Sequence, residues 1–145
     1  MKNETYKQLK ARQQAEVNAF DMKFAFSRER FAEIMSEWGL TVNDTDKIAR
    51  IPAGGFILKE NVGAFLDMVR RHKEERDAAR AADKTGNGYL YQMFYAELIN
   101  HEYGYTGDEE ETVESLGYTL DEVYSDPIMA HALAKAKKAV YALDW

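Results

Sequence analysis

A mainly α-helical domain of the α+β class is what this sequence predicts, and three observations carry it. Apolar residues recur at i, i+3, i+4 and i+7 along most of the chain, the rhythm of an amphipathic helix. The 145 residues include only two prolines, so little interrupts that rhythm. One segment, ARIPAGGFILK, departs from it: β-branched and aromatic residues flank Pro52-Ala53-Gly54-Gly55, a turn-like tetrapeptide. The expectation is a compact helical domain of five to seven helices with one small β-hairpin. It forms a single domain over 1–145, large enough to bury about two-thirds of its unfolded surface without staples.

Taken in order, residues 3–20 give a first helix with Tyr6, Leu9, Gln13, Val17 and Phe20 on one stripe. Ser27 suits an N-cap, Phe31, Ile34, Met35 and Trp38 follow at helical spacing, and Gly39 sits where a helix stops. NDTDKIARI supplies capping residues for one turn. The hairpin pairs Ile48–Ile51 with Phe56–Lys59. Asn61 caps a long helix over 62–82, with Val62, Phe65, Leu66, Val69 and His72 as its buried side; its second half, KEERDAARAAD, is helix-forming but polar. The 88–103 helix differs. Leu90, Met93, Phe94 and Leu98 share one side, and Tyr89, Tyr91, Tyr95, Ile99 and Tyr103 cover most of the rest. A helix apolar nearly all round belongs at the centre of a fold. Asp108 caps a short helix ending at Leu116-Gly117, Thr119 caps a turn over 120–124, and Asp126-Pro127 opens a last helix over 128–143. Ile128, Leu133, Ala136, Val140 and Leu143 mark its buried side.

Composition excludes several chemistries. Without cysteine there are no disulfides, thiolate metal sites or cysteine nucleophiles, and a reducing, cytoplasmic setting fits. KNETYKQLKARQQ after Met1 is too polar for a secretory leader, and no apolar run approaches the roughly 18 residues of a membrane span. The net charge is −6, unevenly spread. Residues 1–84 hold sixteen Lys/Arg against fourteen Asp/Glu, whereas 85–134 hold ten acids and no Lys or Arg. Such a balance argues against direct nucleic-acid binding and sets up a field that steers a charged partner.

Two stretches invite a chemical reading. From Asp83 the spacing imitates the loop of a calcium-binding EF-hand over 83–94: Asp83 at position 1, Thr85 at 3, Asn87 at 5 and Gly88 at 6. Position 9 is Tyr91 and position 12, where a bidentate glutamate belongs, is Phe94. The alternatives are a degenerate calcium binder and a plain helix–helix turn. Further on, Glu97 and His101 stand four apart, on the face expected to be buried, where ionisable groups need partners. With Glu102, and with His72 or His131 from another helix, they are candidates for a small hydrolytic or metal-dependent enzyme; the other reading is a structural hydrogen bond or a helix end. HExxH is absent, since Tyr105 stands where the second histidine belongs. No phosphate loop, nucleophile elbow or cofactor motif is present, so no cofactor is expected.

FAFS (24–27), IPAGGFI (51–57), Arg71-His72 and ELINHEYGYTGDEEETVESLG (97–117) resemble a group of small accessory proteins encoded on phages, plasmids and conjugative elements of low-GC Gram-positive bacteria. The resemblance spans roughly 17–117. It carries no activity and no catalytic residue, but it implies an accessory role, of the kind that inhibits a host defence protein such as a CRISPR effector. The expectation is therefore a non-enzymatic protein-binding chain. Asp108, Glu109, Glu110, Glu111, Glu114, Asp121 and Glu122, among tyrosines, would occupy a basic groove on a host or element-encoded protein.

Overall fold

The computed structural model describes residues 4–143; residue 3, where the helical periodicity starts, lies outside the described residues. Among the described residues, eight α-helices accompany one two-stranded antiparallel sheet, the mainly helical arrangement with a hairpin that the periodicity predicts. The helices are α1 (Tyr6–Ala19), α2 (Arg28–Glu37), α3 (Val62–Ala82), α4 (Tyr89–Asn100), α5 (Tyr103–Thr106), α6 (Glu110–Ser115), α7 (Leu120–Ser125) and α8 (Pro127–Tyr141). The strands are β1 (Ile48–Arg50) and β2 (Phe56–Leu58). The helix count exceeds the expectation because the 88–103 segment is broken. Glu102 adopts a left-handed conformation (φ 57°) and starts α5 as a separate turn. No helix among the described residues is long and apolar enough to cross a membrane.

The chain divides into two compact units. One is Gln13–Glu74; the other joins the residues up to Arg12 with those from Glu75 onward. In the first unit, Ser27 caps α2 as its sequence predicts: its Oγ accepts from the Arg30 N–H at 3.1 Å. Gly39, at φ +73°, lets the chain leave the helix through a region that only glycine enters freely. The hairpin is in register Ile48–Leu58, Ala49–Ile57, Arg50–Phe56, with Pro52–Gly54 forming a 3-10 turn between the strands. Lys23 adds an antiparallel bridge to Phe56, which no local pattern announced. Phe31 and Trp38 pack their rings on Phe56 at centroid distances of 5.5 and 5.8 Å. Ile34, Met35, Ile57 and Met68 are buried with them.

The buried side of α3 corrects the sequence reading. Met68 and His72 are buried, whereas Leu66 and Val69 are 58% and 46% exposed. Phe65 and His72 keep their predicted places on the stripe, and Met68 between them takes the place expected of Leu66 and Val69. Asn61 closes a 3-10 turn, Lys59–Asn61, ahead of α3.

In the second unit, α4 packs against α8 to form the core. Leu90, Met93, Phe94 and Leu98 from α4 meet Met129, Ala132, Leu133, Ala136 and Val140 from α8, with Tyr6, Leu9, Tyr103, Val113 and Val123 closing the sides. Each fully buried large side chain contributes about 1.5–3 kcal/mol, so α4 is the structural axis of this unit. Small residues let α8 approach closely. At Gly86 the φ is +80°, and a Cβ would lie 2.5 Å from the Ile128 carbonyl oxygen, so no other residue fits without displacing α8. Two of the caps predicted for this unit hold, whereas Glu109 rather than Asp108 is the N-cap of α6, the Asp108 carboxylate accepting from the Glu110 N–H. Thr119 and Glu122 form a capping box, and the Asp126 carboxylate accepts from the Ile128 and Met129 N–H groups ahead of Pro127. Leu143, expected on the buried side of α8, is 38% exposed and falls beyond the end of that helix.

Candidate functional site

Glu97 is buried on α4, 7% exposed, and its carboxylate is fully engaged. Oε2 accepts from the Tyr6 hydroxyl at 2.5 Å and the Lys10 ammonium at 2.9 Å, both from α1; Oε1 accepts from Asn100 Nδ2 at 3.2 Å. Burial by itself would raise the carboxyl pKa. Donation from Tyr6, Lys10 and Asn100 outweighs it and holds the group below its ordinary value. Tyr6 is pushed well above the usual phenol range, first by burial and then by its bond to Glu97. A carboxylate so saturated is a poor general base, since each proton it binds must displace a donor. The Tyr6 backbone N–H also donates to Gln92 Oε1 at 2.9 Å, so the first turn of α1 is tied to α4 at two points.

The His101 ring does not join the Glu97 carboxylate, although the residue's backbone N–H donates to the Glu97 carbonyl at 3.0 Å. His101 is the C-cap of α4 (φ −100°, ψ 17°), where the chain has left helical spacing, and its Nδ1 lies 3.1 Å from Glu111 Oε1 on α6. Glu102 is exposed at the left-handed turn that follows. The other two histidines have partners of their own. His131 Nε2 is 2.8 Å from Asn87 Oδ1, and His72 Nε2 is 2.9 Å from Glu16 Oε1. Arg71 also bonds Glu16, and together Arg71 and His72 hold that carboxyl down to about 2. Among the described residues, no group of three or more histidines and carboxylates gathers in metal-binding geometry. The four-residue spacing of Glu97 and His101 thus serves two different contacts.

The loop that imitates an EF-hand is organised around Asp83 as an acceptor of backbone hydrogens. Its two oxygens take N–H groups from Thr85, Gly86, Gly88 and Leu90, the last two at 3.1 and 3.0 Å. Burial pushes its pKa up, but these N–H donors more than offset it and the group sits below its ordinary value. Gly88 and Leu90 open α4, so Asp83 does from five residues upstream what an N-cap does. Thr85 Oγ1 turns back to Asp83, while Asn87 Oδ1 turns toward His131 and Lys135 on α8. The side chains at positions 1, 3 and 5 therefore do not converge on one point, and position 5 faces a lysine.

The acidic residues of 108–122 fall into three environments. Glu109 is drawn inward: its carboxylate pairs with Lys137 at 2.6 Å and accepts from the Tyr124 hydroxyl. Burial would lower the Lys137 pKa, but Glu109 and Tyr124 overcome it and raise the group above its ordinary value. Asp108, Glu111 and Glu122 each have one engagement, respectively the Glu110 N–H, His101 and the Thr119 N–H. Glu110, Glu114 and Asp121 are exposed and have no side-chain partner among the described residues. Tyr105 and Tyr124, on α5 and α7, are 79% and 50% exposed.

Sequence reasoning missed Tyr6 and Lys10 as partners of Glu97. Tyr6 read as one more residue of the first-helix stripe, and nothing in the local pattern singled out Lys10. A clue lay in pairing a buried acid with the nearest amphipathic stripe that ends in a hydroxyl. No curated protein and no solved structure matches this chain. A family model does match, over residues 5–139, and on that span the chain belongs to the family of unknown function DUF7659.

Proposed function

We propose that this protein is a non-enzymatic binding module that places the acidic face of α6 and α7 in a basic groove of a partner protein. The observation that carries the reading is the state of Glu110, Glu114 and Asp121: three exposed carboxylates, without partners, on two consecutive short helices. No Lys or Arg occurs between Lys84 and Lys135 to neutralise them in sequence. Glu110 and Glu114 are like charges four residues apart on α6, and a cationic groove would relieve their repulsion and form ion pairs with them, which gives rapid, salt-sensitive association. Tyr105 and Tyr124 beside them supply flat apolar contact of the sort that anchors interfaces. A groove built for nucleic acid accepts both charge and rings, so the face would compete with nucleic acid without binding it. The resemblance to mobile-element proteins makes a host defence nuclease, a CRISPR effector among them, the favoured partner and the cytoplasm the favoured place. The saturation of Glu97 and the separate engagement of His101 support binding over hydrolysis.

The test is affinity capture from a host lysate at low and at high salt. A basic, nucleic-acid-binding partner retained at low salt and released at high salt is the expected result. Retention that ignores salt, or capture only of acidic proteins, would overturn the reading.

A further inference from the structure

The Gln13–Glu74 unit contains an open cavity of about 940 Å³, within the range of small-ligand sites. Its walls are Phe31 from α2, Ile48 and Arg50 from β1, Phe56 from β2, and Val42; Phe26 and Arg28 stand at the start of α2. Two features set it apart. In a chain of net charge −6, no Asp or Glu lines it, while two arginines do. Both arginines are exposed and make no ion pair among the described residues, whereas Lys23, Arg30, Lys47, Arg70 and Arg71 of the same unit all pair with carboxylates. Phe26, in addition, is 96% exposed, although burying such a ring would be favourable.

We infer that this cavity binds a small amphipathic acid, its apolar body against Phe26, Phe31, Val42 and Phe56 and its anionic head between Arg28 and Arg50. The lining decides the class. Apolar walls exclude a sugar or a multiply charged phosphate ester as the main occupant, because little polar surface is there to replace water around its hydroxyls. Two guanidiniums without carboxylate neighbours select an anion over a cation or a neutral lipid, and their planar fork suits a carboxylate or sulfonate. The site is independent of the acidic face on α6 and α7, so either can fail without the other.

The probe is 1-anilinonaphthalene-8-sulfonate, whose fluorescence rises in an apolar site, with decanoate and decyltrimethylammonium as competitors that share a tail and differ in the sign of the head. The expected result is saturable one-to-one binding by the native protein. Decanoate displaces the dye and decyltrimethylammonium does not. The double variant Arg28→Gln, Arg50→Gln binds decanoate about tenfold more weakly with unchanged circular dichroism, since neither arginine has a partner to lose. Phe26→Ser weakens the dye itself. No saturable binding, or equal displacement by the two competitors, overturns the inference. So does dye binding indifferent to the arginines, which would mark the surface as a purely apolar contact for another protein.

Discussion

Two groups of carboxylates on the same unit have the same chemistry and opposite surroundings. Asp83, Glu97 and Asp126 are met by donors at every turn: four backbone N–H groups for Asp83, a phenol, an ammonium and an amide for Glu97, and two N–H groups for Asp126. Glu110, Glu114 and Asp121 are met by water. The first group is committed to holding helices together. The second contributes nothing to the fold that the contacts reveal, which is why it is free to act on something else. Asp83 and Glu97 drew a chemical reading because acids in greasy surroundings stand out, and the donors around them are structural. Of the surface acids expected to meet a partner, Glu110, Glu114 and Asp121 are exposed.

The sharpest way to break this contrast is to remove Glu97. Glu97→Ala leaves the Tyr6 hydroxyl without its acceptor and removes one of the two ties of α1 to α4, so urea unfolding should show a loss of about 3 kcal/mol. A loss below about 0.5 kcal/mol would mean that the buried acid is not structural after all. Asp83→Ala should cost about 2 kcal/mol, because the first N–H groups of α4 lose their acceptor. Calcium should leave the melting temperature of the native chain unchanged, since Asn87 turns to His131 and Lys135, away from Asp83 and Thr85; a rise on adding calcium would restore the ion-binding reading.

Acid titration separates the same groups by a different route. Asp83 and Glu97 have folded-state pKa values below their ordinary ones, so the stability they supply is complete above the unfolded carboxylate value, near about 4. It is lost as pH falls through the lower folded values. Stability measured from pH 5 downward should fall steeply in the native chain and less steeply in the double variant Asp83→Asn, Glu97→Gln. Glu16 adds a loss of the same sign toward pH 2 in both proteins. Equal slopes would show that neither carboxylate is held ionised by the fold.

Glu109 lies between the two groups and sharpens the boundary. Its pair with Lys137 is partly buried, so Glu109→Gln should cost about 1 kcal/mol, whereas Glu110→Gln, one residue on, should change stability by less than about 0.5 kcal/mol. If the two variants behaved alike, sequence position rather than surroundings would govern these acids.

Much of this was legible in the sequence, for local reasons. The Ser27 cap, the Thr119 capping box, the Asp126-Pro127 start and the glycine stop at Gly39 depend on a few consecutive residues and stand where the sequence puts them. The all-round apolarity of α4 announced its place in the core. What escaped depends on distant chain. The α3 stripe keeps Phe65 and His72, but packing, not periodicity, selected Met68 over Leu66 and Val69. The partners of Glu97 come from α1, 91 residues away in the case of Tyr6. Glu109 could not be told from Glu110 until Lys137 was seen beside it. The lining of the Phe26 cavity escaped as well, since Arg28 and Arg50 come to it from distant parts of the sequence.

The most direct test joins stability and binding in one variant, Glu110→Gln, Glu114→Gln, Asp121→Asn. Its unfolding free energy in urea should match that of the native chain to within about 0.5 kcal/mol, and low-salt capture of a basic partner from host lysate should be lost. Capture retained at native level by this well-folded variant would contradict a role for the acidic face of α6 and α7.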